Sequence, residues 1–243
     1  MNIYIDNNLT IAKHFFATPK YNPFIAISLG SRPPSLEKAI RILKWALQSN
    51  VKTIPILFAD EIAHINYRAL GYSSGKALRQ VSLAKENQVI TWQTAINHLS
   101  DSDKLIFKLT NWSEIVSPEF VQQQDIIRKE FSDNKELYNL VLWLVEGFLK
   151  SSGKTITSKR CIDMAEYIIQ ELPLLLFGIE LNCIHYQMML YPTHYSSEMI
   201  SMIAKIRRKS EFKTLINKLL SIHPLEFNKI IQIIVSEKTP LSI

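Results

Sequence analysis

Two short apolar runs flanking a helical segment constrain this chain most. Pro23-Phe24-Ile25-Ala26-Ile27-Ser28 is apolar and rich in branched side chains, and so is Val51 to Asp60. Between them Leu36, Ala39, Ile40, Leu43 and Leu47 recur at helical spacing, with Ser35 placed to cap the helix and Glu37 in its first turn. A β–α–β unit this short joins parallel strands by a right-handed crossover. The expectation is an α/β fold: a parallel sheet flanked by helices. Only 6 glycines among 243 residues argue against a loop-rich β-protein, and 47% hydrophobic residues suffice for one sizeable core. No linker, repeat or low-complexity stretch divides the chain, so residues 1–243 read as a single domain.

Further along, the spacing predicts a helix over about 74–86, a strand over Gln88–Trp92, and helices over 117–131 and 135–149. Residues 151–157 read as a loop. A helix is expected over 158–171, closed by Pro173, then a buried strand over Ile184–Pro192. Segments 196–208, 211–221 and 225–235 read as mostly helical. The apolar stretch from Leu172 to Pro192 carries Glu180, Asn182, His185 and Gln187, a polar load that fits a buried core and not a membrane span. The N-terminus lacks a basic segment followed by an apolar run, so no signal peptide is expected and the chain reads as cytoplasmic.

Several chemistries fall away. Cys161 and Cys183 are too few for a disulfide framework or a four-cysteine zinc site, and both read as buried free thiols. The six histidines share no metal-ligand spacing, so no metal is expected. Gly71-Tyr72-Ser73-Ser74-Gly75-Lys76-Ala77 imitates a phosphate-binding loop, but it is one residue short and offers Ala77 where a hydroxyl must hold magnesium. A formal net charge of +6 suits either ordinary solubility or a polyanionic partner such as RNA.

Two features remain as chemistry. Ser28 sits at a strand-to-helix turn, where an α/β sheet displays its reactive groups. It nearly matches a hydrolase nucleophile elbow, yet no Asp/His pair stands out downstream. Tyr167 and Glu171 stand at i and i+4, so one helix face presents both.

With these residues in view the chain resembles the cyclodipeptide synthases, which build cyclic dipeptides from two aminoacyl-tRNAs. The family's second signature is Tyr-aliphatic-x-x-Glu-aliphatic-Pro, and Tyr167-Ile168-Ile169-Gln170-Glu171-Leu172-Pro173 fits every position. Its first is His-x-aliphatic-aliphatic-Gly-aliphatic-Ser, which here reads Asn22-Pro23-Phe24-Ile25-Ala26-Ile27-Ser28. Asn22 replaces His, Phe24 an aliphatic residue and Ala26 Gly. Ala69 to Arg79 is similar to the family's basic-helix region. The likeness covers roughly residues 22–210. Ser31, Tyr191 and Pro192 resemble the X-Tyr-Pro branch, in which another group must replace the Asn of the other branch.

The resemblance implies a Rossmann-like sheet like the catalytic domain of class I tyrosyl- and tryptophanyl-tRNA synthetases. It implies two aminoacyl-tRNAs as partners and no cofactor, metal, membrane or ATP, in keeping with the absent HIGH and KMSKS motifs. Ser28 is then the nucleophile. Tyr167 and Glu171 hold the first α-ammonium, with Glu171 also taking a proton when the second amino acid enters. Tyr191 relays protons in the cyclisation. Phe24, Ala26, Leu174 and Met189 line the first side-chain pocket, favouring a small residue, with Ser31 and Pro192 beside them. Lys76, Arg79 and Lys85 contact tRNA. The other readings are a non-catalytic tRNA- or RNA-binding Rossmann module and an esterase-type serine hydrolase.

Overall fold

Strands β1 (Pro23–Ile27) and β2 (Ile54–Phe58) are buried at all five positions each, as befits a sheet covered on both faces. The computed structural model describes residues 22–49, 51–192, 197–222 and 231–234. Alternate β1 residues face two cores: Phe24 and Ala26 enter one, Ile25 and Ile27 the other. The expected unit is present. Helix α1 (Leu36–Ala46) joins β1 to β2, and Ser35 Oγ accepts from the Lys38 N–H at 3.3 Å.

Next come α2 (Asp60–Ala69), α3 (Ser74–Asn97), the short α4 (Asp101–Lys104) and β3 (Phe107–Asn111). Helices α5 (Pro118–Asp133), α6 (Lys135–Ser151) and α7 (Ser158–Phe177) follow. The hairpin β4 (Ile179–Leu181) and β5 (Ile184–Tyr186) then leads into β6 (Met188–Tyr191), α8 (Ser197–Arg208), α9 (Lys213–Ile222) and β7 (Ile231–Ile234). The main sheet has the order β3-β2-β1-β6-β7 with every pairing parallel. No helix among the described residues is long and apolar enough to cross a membrane.

Five expectations are corrected. Gln88–Trp92 is not a strand but part of α3. Gln88 and Trp92 lie one helical turn apart, both buried, with the indole N–H donating to Gln88 Oε1 at 3.3 Å. That burial overrides the β-propensity of Val89, Ile90 and Thr91. Pro173 does not close its helix. It lies inside α7, which forgoes one backbone bond there and runs on to Phe177. Ile184–Pro192 is two strands, because Gln187 and Met188 N–H both donate to the Asn22 carbonyl at 3.1 Å and divert the chain from the hairpin into the main sheet. Residues 231–234 form a strand beside β6, while the rest of the helix expected over 225–235 lies outside the described residues. Cys183 is exposed in the β4–β5 turn, and Cys161 alone is buried.

What stops α7 is Gly178, at φ +79°. A Cβ there would collide with the Tyr186 carbonyl oxygen. Gly178→Ala is therefore expected to cost at least about 2 kcal/mol, since strain and collision add. A thermal melt reads this directly, and an unchanged midpoint would show that the turn can open without loss.

Candidate active site

The chain leaves β1 toward β2 and β3 on one side, while β6 and β7 pair on the other. Such a reversal opens a crevice at the carboxyl ends of the strands. Ser28 directly follows β1 and Tyr191 ends the adjacent β6. From above, α7 brings Tyr167 and Glu171, one turn apart and both buried. All four line one cavity of about 560 Å³. The expected catalytic set, dispersed over more than 160 positions of sequence, thus converges on a single space.

Burial dominates its electrostatics. Glu171 is only 8% exposed. Loss of water raises its carboxyl to about 7, and the hydrogen bond from Tyr167 only partly opposes this. Near neutral pH such a group is poised to exchange a proton. Tyr167 is pushed well above its ordinary value, first by burial, then by the charges of Glu171 and Tyr191. Hydrogen-bonding contact with the Ser28 hydroxyl and the Asn66 side chain pulls the other way. Ser28 Oγ also accepts from the Gly30 N–H at 3.4 Å. No histidine among the described residues lines the cavity, so Ser28 has a phenol and not an imidazole beside it. Among the described residues no group of three His, Cys, Asp or Glu side chains could hold a metal.

Neighbouring elements hold α7 in place. The Arg128 guanidinium of α5 pairs with Glu166 at 2.8 Å, and Gln124 Nε2 donates to the Gln170 carbonyl at 3.0 Å. At the far end Arg207 of α8 donates to the carbonyls of Leu175 and Leu176 at 3.1 and 2.6 Å. Burial lowers the Arg207 guanidinium to about 10, so it stays charged at neutral pH against the negative end of the helix.

The remaining expected residues divide. Ser31 lines the cavity, but Phe24, Ala26, Leu174, Met189 and Pro192 do not. Phe24, Ala26, Leu174 and Met189 are buried within the core, and Pro192 is buried just past β6. Leu70, Leu144, Val145, Met164, Ile168 and Met199 supply apolar wall of this cavity instead. Lys76 and Arg79 are exposed on the first turns of α3, with Lys76 Nζ 4.9 Å above the Tyr72 ring. Lys85 is on the other side of that helix, about two and a half turns from Lys76. It is paired with Asp60 at 2.6 Å, and Asp60 also accepts from the Trp112 N–H.

Sequence reasoning missed Asn66 and Tyr67 of α2, which line the cavity, and Gln88 of α3, which reaches its rim. A buried glutamine one turn before a tryptophan was the available signal for Gln88. Nothing in the mixed pattern around residue 66 singled out the other two.

The sequence model of the cyclodipeptide synthases matches residues 22–212. No curated protein sequence matches. Among solved structures the chain is similar to AlbC, a cyclodipeptide synthase from Streptomyces noursei, with TM-score 0.65 and 17% identity over 91% of this chain and 97% of that one. It is similar to a Mycobacterium tuberculosis protein, described as showing that cyclodipeptide synthetases are related to type I tRNA synthetases, with TM-score 0.63 and 20% identity over 84% and 85%. A cyclodipeptide synthase from Staphylococcus haemolyticus gives TM-score 0.59 and 22% identity over 83% and 89%.

Proposed function

The chain belongs to the cyclodipeptide synthase family, and we propose that it joins two amino acids from aminoacyl-tRNAs by a ping-pong route through Ser28. The observation that carries this reading is the convergence of Ser28, Tyr167, Glu171 and Tyr191 on one cavity at the reversal of the sheet. We read residues 1–243 as one cytoplasmic domain of the X-Tyr-Pro branch, marked by Ser31, Tyr191 and Pro192, which works without ATP, metal or cofactor.

In the first step Ser28 Oγ attacks the ester carbonyl of one aminoacyl-tRNA. The Oγ–C bond forms, the bond to the ribose oxygen breaks, and the serine proton ends on the released ribose hydroxyl. Glu171 and Tyr167 hold the α-ammonium of the bound residue, for which a carboxylate and a phenol oxygen are suitable acceptors. Glu171 takes the ammonium proton, which a group near pH 7 does readily. The freed amine then attacks the ester of the second aminoacyl-tRNA and expels its ribose oxygen. The dipeptide, still on Ser28, closes when its terminal amine attacks the Ser28 ester. Ser28 leaves with a proton relayed by Tyr191, and the ring is released.

Cells expressing the chain should accumulate a cyclic dipeptide that vector controls lack, detected by mass spectrometry of extract and medium. Its absence across all amino-acid pairs would remove this reading, and release of p-nitrophenol from simple esters would favour an esterase.

The tRNA body is proposed to lie along the exposed first turns of α3. Lys76→Ala with Arg79→Ala is expected to weaken tRNA binding and flatten its salt dependence by about 0.7–0.9 log units per lost contact per log of salt. Ser28 acylation from a minimal aminoacyl ester without a tRNA body should persist. Filter binding at several salt concentrations checks this. Equal slopes for wild type and double variant would move the contact elsewhere, with Arg207 excluded by its burial against α7.

A further inference from the structure

Residues 28–31 close a turn, with the Ser31 N–H on the Ser28 carbonyl at 3.4 Å. Two of its other carbonyls are pinned from two helices. Tyr67 Oη of α2 donates to the Leu29 carbonyl at 3.1 Å. Gln88 Nε2 of α3 donates to the Ser31 carbonyl at 3.2 Å. Gln88 is 1% exposed, and its Oε1 accepts from the Trp92 indole at 3.3 Å. An indole N–H only donates, so it fixes the amide with oxygen toward Trp92 and nitrogen toward Ser31.

The consequence follows from the peptide bond. The Leu29 carbonyl and the Gly30 N–H are opposite ends of one planar trans unit. Holding the carbonyl on Tyr67 turns the Gly30 N–H the other way, and it lies 3.4 Å from Ser28 Oγ on the cavity wall. At that separation the N–H makes only a weak bond to Oγ. An oxygen on a carbon attached to Oγ lies only two bonds from Oγ, and its position is where an oxyanion donor must aim, from about 2.7–3.1 Å.

We propose that Tyr67 and Gln88 are positioning residues that aim the Gly30 N–H as the oxyanion donor for tetrahedral intermediates on Ser28. The proposal rests on Ser28 being the nucleophile. In acylation the carbonyl π pair moves onto oxygen as the Oγ–C bond forms, and it returns as the ribose oxygen departs. In cyclisation the same carbonyl passes through an oxyanion again, with Ser28 now the leaving group. One donor therefore serves both steps, and both should slow together when it is misaimed.

Two variants of the full chain test this. Tyr67→Phe removes the donor to Leu29. Gln88→Glu keeps the acceptor for Trp92 but loses the donor to Ser31. Single-turnover acylation at saturating aminoacyl-tRNA, with the adduct located by peptide mapping, is expected to fall about 10- to 100-fold in each, below the full cost of losing a donor. Affinity for an aminoacyl-tRNA with a non-hydrolysable amide linkage should stay within about twofold, because the turn is aimed at the transition state. Gln88→Glu should also recover relative to wild type as pH falls from 8 to 6, since a protonated carboxyl again offers a hydrogen to Ser31. Tyr67→Phe should show no such recovery.

Wild-type acylation rates in both variants, with the adduct on Ser28, would overturn the proposal and leave the nucleophile standing. An adduct mapped to another residue in the wild type would overturn both. A rate loss matched by an equal loss of amide-linked tRNA affinity would reduce the two side chains to structural supports and overturn the proposal. If Gln88→Glu fails to fold, Tyr67→Phe decides.

Discussion

Ser28→Ala is expected to fold like the wild type and to carry no aminoacyl adduct, with cyclic dipeptide output down by at least about 10³-fold. The side chain is small and half-buried, and its hydroxyl contacts the Gly30 N–H and Tyr167. Removing it leaves Asn66 beside the phenol, so stability should move by no more than about 1 kcal/mol. Intact-mass measurement after acid quench, beside quantified product, reads both effects. An adduct that survives in the alanine variant would assign the nucleophile to another residue.

Glu171→Gln should show the opposite pairing: poorer chemistry in a more stable protein. Output is expected to fall at least about 10²-fold, because a neutral amide neither balances the ammonium nor takes its proton. The stability argument follows the proton. Burial raises the folded carboxyl from 4.5 to about 7. Between those values the folded state binds more protons than the unfolded chain, so folding weakens as pH rises through the window. Above 7 the full penalty applies, about 3 kcal/mol. Glutamine never ionises and escapes it. Denaturant titrations should place the variant above the wild type at pH 8 and close to it at pH 5. Coincident curves at pH 8 would show that the folded protein compensates the carboxylate. Wild-type kcat/KM should likewise climb through about pH 7, and that limb should vanish in the variant.

Sequence and structure agree where one signal acts alone. β1 and β2 are unbroken apolar runs because both faces of the sheet are covered, and that pattern needs no tertiary information. Tyr167 and Glu171 were visible because helical spacing places them together whatever surrounds them. Gln88 failed for the converse reason. Its neighbours Val89, Ile90 and Thr91 favour a strand, and only the packing of Trp92 under the sheet makes the segment helical. Tyr67 was invisible because its role depends on a carbonyl 38 positions away. Phe24, Ala26, Leu174 and Met189, expected by resemblance around the first side chain, do not line this cavity. Strand alternation makes Phe24, Ala26 and Met189 as available to the core as to this cavity, Leu174 sits in the buried last turns of α7, and the core holds all four.

Arg207 makes the order of synthesis matter. Ser28, Tyr167, Glu171 and Tyr191 have all been translated before residue 207 leaves the ribosome, yet the end of the helix bearing two of them still lacks its cation. A chain stopped at the start of α8 holds all four side chains and keeps His185 on the Phe177 carbonyl, but the Leu175 and Leu176 carbonyls lack their cation, less than two turns from the buried Glu171. The last turn of α7 gains its guanidinium only when α8 is in place, closing on the Leu175 and Leu176 carbonyls.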